Sequence, residues 1–137
     1  MPHQLTFSAV HTYDGRLPGI TLPVTLRSGT TEMLVDAKFD PGSTFCIFQP
    51  AIGRKLGFDI ERGIYERIGT VTGSFSVYGH EVVLNVLGIE TTATVYFAVD
   101  ENFPVNVLGR VGWLDRVLLG LVDSECRLYL SDYNDPA

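Results

Sequence analysis

The chain has 137 residues, 45% hydrophobic and 19% charged, enough apolar matter for one ordinary globular core and too little length for a second full domain. Sixteen acidic against ten basic residues leave a formal charge of -6, which repels a polyanion, so nucleic acid is not an expected partner. No run approaches the roughly 18 apolar residues of a membrane helix, and the start Met1-Pro2-His3-Gln4 has neither the basic nor the apolar part of a secretory signal, so the expectation is no membrane partner and a cytoplasmic location.

Short runs rich in Val, Ile, Thr, Phe and Tyr recur between glycine-bearing turns, the pattern of an all-β barrel or sandwich. Strands are predicted over 5–12, 20–27, 32–39, 44–48, 63–70, 74–78, 81–87, 91–99, 117–122 and 127–130. Asp14-Gly15, Pro18-Gly19, Ser28-Gly29, Tyr78-Gly79 and Leu87-Gly88 supply the residues for chain reversal. Two short helices are predicted, 50–56 with Pro50 in its first turn and Gly57 past its end, and 110–116 following Gly109. The tail 131–137 reads as frayed, and the whole chain, 1–137, as a single domain.

Cys46 and Cys126 are too few and too distant for a disulfide framework or a metal knuckle, and read as buried core thiols. His3, His11 and His80 lack metal-ligand spacing, so neither a metal nor another cofactor is expected.

The segment with chemical potential is Met33-Leu34-Val35-Asp36-Ala37-Lys38-Phe39. Alternation puts Met33, Val35, Ala37 and Phe39 on one apolar face and delivers Asp40 into the turn Pro41-Gly42-Ser43. Nearby N–H groups can keep a carboxylate ionised at such a turn, while Gly42 allows close approach of a ligand or another chain. Taken alone, Asp40-Pro41-Gly42 reads more readily as an Asx-turn at a surface bend than as a catalytic loop.

Downstream, Pro104-Val105-Asn106-Val107-Leu108-Gly109-Arg110 supplies two hydrophobic residues followed by glycine, and between the two lies Ile68-Gly69-Thr70-Val71-Thr72-Gly73-Ser74-Phe75. With these parts in order the chain resembles the retropepsin-like aspartic proteases, single-lobe bacterial members more than two-lobed pepsins, over roughly 20–130. In that family an apolar strand enters Asp-Thr/Ser-Gly, a glycine-bearing flap follows, and a hydrophobic-hydrophobic-Gly element packs beside the catalytic loop. The resemblance implies a closed β-barrel or sandwich lobe with a flap hairpin and one or two short helices. It implies Asp40 as the catalytic acid, Pro41, Gly42 and Ser43 as the active-site loop, and Thr70, Val71, Thr72 and Gly73 as the substrate-binding flap. By pattern alone that hairpin is also readable as an ordinary one.

Aspartic proteolysis needs two carboxylates sharing one proton. Asp-x-Gly occurs once here, and Asp36, Asp100, Asp115 and Asp123 lack a comparable turn. The implied enzyme is therefore a homodimeric endopeptidase acting on a peptide or protein substrate, with one Asp40 from each copy. Asp36 reads as solvent-facing or ion-paired, and Asp115 as lying on the second helical segment.

Two positions depart from the family pattern. Pro41 stands where a Thr or Ser hydroxyl links the two active-site loops, which opens the alternative of a catalytically impaired dimerisation or peptide-binding module. Ser43-Thr44-Phe45 carries no counterpart of the acid that pairs with the downstream arginine. Arg110 is left to an acid such as Asp115, to substrate, or to solvent.

Overall fold

Alternating burial along the second and third strands sets the architecture. The computed structural model describes residues 1–134. The strands are β1 (Ala9–Thr12), β2 (Ile20–Ser28), β3 (Thr31–Phe39) and β4 (Ile47–Phe48), then helix α1 (Pro50–Lys55), then β5 (Ile64–Thr70), β6 (Gly73–Val86), β7 (Ile89–Ala98), β8 (Val107–Leu108), β9 (Val117–Val122) and β10 (Arg127–Asp132). Leu22, Val24 and Leu26 of β2 are wholly buried, and the hairpin to β3 runs in register from Ile20 opposite Phe39 to Ser28 opposite Thr31. Gly29, at φ 58°, turns it.

Seven strands lie in the order β2-β3-β8-β4-β7-β6-β5, and β2 pairs again with β6, as in Leu26 opposite Leu84, so the sheet closes on itself. A second sheet, β1-β10-β9, brings the early and late parts of the chain together. One large core, with Trp113 set edge-on to Phe39, fills the space between the sheets. A smaller cluster around Ile47, Val77, Tyr96 and Ala98 lies apart from it.

The all-β expectation holds, with five corrections. The predicted strands 74–78 and 81–87 are one strand, β6. Its Gly79 is no turn: a Cβ there would come within 2.8 Å of the Tyr96 ring and 2.9 Å of Thr94, so glycine serves close packing. The predicted helix 110–116 reduces to one 3-10 turn, Leu114–Arg116, because Val111 is held extended in a bridge to Phe45 and Gly112 takes φ 97°, outside the helical region. The predicted strand 5–12 is ladder-paired only from Ala9, since the Ser8 N–H donates to the Ser131 hydroxyl instead of a backbone carbonyl. Of the predicted frayed tail, Ser131 is buried and Asp132 still pairs with Val117, while 135–137 lie outside the described residues. The predicted 44–48 strand shortens to β4, Phe45 making only an isolated bridge to Val111.

Candidate active site

Strand β3 ends at Phe39 and hands Asp40 to an exposed loop, where two chain segments cross. β8 runs parallel to β3, pairing Lys38 with Val107 and Phe39 with Leu108, and antiparallel to β4 through Val107 and Ile47. The crossing is stitched by Asp40 N–H to Leu108 O at 2.9 Å, Arg110 N–H to Ser43 O at 2.9 Å and Val111 N–H to Thr44 O at 2.8 Å. At Gly109 the backbones are so close that a Cβ would stand 2.2 Å from Phe45 O and 2.6 Å from Ser43 O. The wholly buried Cys46 thiol takes the Gly109 N–H at 3.4 Å, and burial pushes its pKa up to about 11, so it stays a protonated packing group.

Asp40 makes the Asx-turn: its Oδ1 accepts the Gly42 N–H at 2.9 Å, and its carbonyl accepts the Ser43 N–H at 3.1 Å. Pro41 and Gly42 are exposed, whereas the half-buried Ser43 donates its hydroxyl to Phe45 O at 2.7 Å. Among the described residues no backbone donor occupies the second carboxylate oxygen.

Across from this loop stands the β5–β6 hairpin, paired from Ile64 opposite Gly79 to Thr70 opposite Gly73, with Val71 and Thr72 as its two-residue tip. Thr70 Oγ1 donates to Gly73 O at 3.2 Å, and Val71 is fully exposed. Between loop and hairpin lies a cleft of about 400 Å³. Asp40, Gly42 and Ser43 form one side and Ile68, Gly69 and Thr70 the other. Phe45, Ile47, Phe75, Phe103 and Val107 give it apolar walls, and Asp40 is the one carboxylate among the described lining residues. The structure thus brings Asp40, Gly42, Ser43 and Thr70 to one cleft and leaves Pro41, Val71, Thr72 and Gly73 off its lining.

A search of solved structures decides the fold. A retropepsin-like aspartic protease from Rickettsia conorii matches with TM-score 0.65 and 14% identity over 90% of this chain and 97% of that one. The fold is that of a retropepsin lobe. The EIAV protease, solved with the inhibitor HBY-793, matches with TM-score 0.52 and 20% identity over 66% of this chain and 80% of that one. No family model and no curated protein matches the sequence.

Within this retropepsin-like fold the remaining acids take unremarkable positions. Asp36 is exposed on β3, and Asp115 lies on the 3-10 turn with Oδ1 accepting the Gly112 N–H at 3.0 Å and lying 3.8 Å from Arg116. Arg110 is exposed, and no acid lies within ion-pair distance of it among the described residues. No cluster of three His, Cys, Asp or Glu side chains is placed to hold a metal among them either.

Sequence reasoning missed Asn106. Its Oδ1 accepts the Gln49 N–H at 2.9 Å and its Nδ2 donates to Asp36 O at 3.2 Å, tying β8 to β3 and to the start of α1. A polar residue between Val105 and Val107 was the available signal, since a buried amide is kept where both of its ends find partners. The cleft walls Phe45, Phe75 and Phe103 carried no such mark.

Proposed function

We propose that two copies of this chain form an aspartic endopeptidase, each giving one Asp40 to a shared active site. The observation that carries this reading is the cleft itself: one carboxylate on an exposed loop, facing a hairpin across apolar walls. Two-fold symmetry places the same residue of both copies at the axis, so the second acid needs no further residue in the sequence.

In this reading one Asp40 is ionised and the other protonated, because like charges in contact resist joint ionisation. The ionised carboxylate takes a proton from water as the water oxygen bonds to the peptide carbon, and the protonated one gives its proton to the carbonyl oxygen. Collapse of that adduct, with proton return to the nitrogen, breaks the C–N bond. The hairpin acts as a flap: Thr70, Val71, Thr72 and Gly73 close over an extended peptide, and Val71 gains the apolar contact it lacks in a single chain. The proposal also keeps the chain in the cytoplasm, a reducing setting suited to the free thiols Cys46 and Cys126.

The test is a peptide-cleavage assay over a dilution series with sedimentation run in parallel. Specific activity is expected to fall as the dimer dissociates, in proportion to the dimer fraction. Activity that is constant per chain through dissociation contradicts the reading.

Pro41 supports a second reading, a peptide-binding or dimerisation module without turnover. It is exposed beside Asp40 and has neither hydroxyl nor N–H to give across an axis. Pro41→Thr separates the two. A gain of about 1 kcal/mol in dimer stability, read by sedimentation, is expected if the proline leaves a cross-axis acceptor unpaired. Appearance of cleavage only in that variant favours the module.

A further inference from the structure

The carbonyl of Phe103 is held from outside its own loop. Phe103 lies in the connection between β7 and β8, where Asn102 N–H bonds to Asp100 Oδ1 at 2.8 Å and Phe103 N–H to Asp100 O at 3.1 Å. Those bonds fold the loop on itself but do not place it. Placement comes from the segment opening α1: Gln49 Nε2 donates to Phe103 O at 3.0 Å. A carbonyl can only accept, so the amide nitrogen of Gln49 must face it.

Gln49 is well suited to this task. It sits at the cap position of α1, yet its side chain makes no capping bond. Its backbone is fixed on both sides, the N–H by Asn106 Oδ1 at 2.9 Å and the carbonyl by Ile52 N–H at 3.1 Å. The side chain therefore extends from a rigid base. Asn106, through its other end, is bonded to the carbonyl of Asp36 on the strand that delivers Asp40. One chain of bonds thus runs from β3 through Asn106 and Gln49 to Phe103.

Phe103 in turn lines the cleft, with its ring centroid 5.3 Å from that of Phe75 on the hairpin strand β6. A shift of the loop moves this aromatic pair and changes the wall against which a substrate side chain would pack. The Arg54–Glu101 pair, at 2.7 and 2.8 Å, joins the same loop to α1, but both groups are exposed and contribute little.

We propose that Gln49 is a positioning residue: it sets the Phe103–Phe75 wall against Asp40 and thereby the affinity for a peptide with a bulky apolar side chain. The affinity part rests on the protease reading; the loop-ordering part does not. Gln49 touches no reacting atom, so its loss acts on binding and spares the chemical step.

Three variants test this. Gln49→Met keeps length and removes the donor. Gln49→Glu has no donor when ionised and regains one when protonated, near the ordinary carboxylate range around 4.3. Asp40→Asn carries each of them for binding measurements without turnover. The readouts are KM and kcat for a peptide with a central Phe or Leu, the Kd of that peptide on the Asp40→Asn background from pH 7 to 4, and amide exchange at Phe103. Gln49→Met is expected to raise KM roughly fivefold with kcat within twofold, and to speed Phe103 exchange about fivefold while Leu108 and Tyr96 stay as they are. Gln49→Glu should match Gln49→Met at pH 7 and approach the parent Kd at pH 4. Unchanged Phe103 exchange, a kcat loss as large as the KM effect, or no recovery of Gln49→Glu at low pH each overturns the proposal. If no peptide is cleaved, the protease reading fails while exchange at Phe103 still decides the role of Gln49; if none is bound either, the affinity claim falls too.

Discussion

Asp40→Asn is expected to reduce peptide cleavage by about 10³-fold or more while leaving the fold and the dimer in place. The size follows from the role: without a carboxylate to take a proton from water, and without its shared proton, general acid-base catalysis is lost from the pair as a unit. Survival of the fold follows from the geometry. Asp40 is exposed and its side chain makes one bond among the described residues, accepting the Gly42 N–H, which the carboxamide oxygen of asparagine accepts as well. The stability change should stay below about 1 kcal/mol. In the proposed pair one acid is already neutral, so the substitution costs at most the shared-proton hydrogen bond, about 1 kcal/mol, and dimerisation is expected to hold. Kinetics beside thermal unfolding and sedimentation check all three.

Gly109→Ala should be the most damaging small change to the site's scaffold. Its Cβ would stand 2.2 Å from Phe45 O, 2.6 Å from Ser43 O and 2.8 Å from the Phe45 carbonyl carbon, all backbone atoms that cannot swing aside. To relieve the clash the two segments must separate, which pulls on the bonds from Arg110 to Ser43 and from Val111 to Thr44. A loss of about 3 kcal/mol is expected, the upper part of the overpacking range. Activity should fall with it, since the same segment bonds to the Asp40 N–H through Leu108 O. Gly69→Ala on the hairpin is the matched control: nothing lies within 4 Å of its Cβ position, and a change under about 1 kcal/mol is expected. Denaturant unfolding of the two variants gives the comparison.

Much of this scaffold is legible in the chain because one face of a strand must be apolar. The alternation of Met33, Val35, Ala37 and Phe39 against exposed Leu34 and Asp36 places β3 and hence the loop at Asp40. The long, strongly patterned strand β2 is found almost to the residue for the same reason. Strand β8 is not, because two residues carry no period; Val107 and Leu108 are a strand only through the neighbours they pair with. Gly79 misleads because glycine serves both turns and close packing, and the ring that decides between them, Tyr96, is 17 positions away. The false helix at 110–116 fails likewise: Val111 is drawn into a bridge with Phe45, a distant partner that local propensity does not register, and Gly112 takes φ 97°. Asp40 stood out through its turn taken together with Val107-Leu108-Gly109 downstream, whereas Phe45, Phe75 and Phe103 line the cleft through distant pairings and look like any core aromatics in sequence.

The central claim, that each active site uses the Asp40 of two copies, is tested most directly by mixing. Parent chain and Asp40→Asn chain are combined in equal amounts, exchanged to equilibrium at a concentration where dimers dominate, and assayed at constant total protein. If both carboxylates are required and the copies pair at random, about a quarter of the dimers retain two Asp40 residues, and activity falls to about a quarter of the parent value. Activity at one half, the fraction of parent chains, would mean that each chain works alone and would contradict the account.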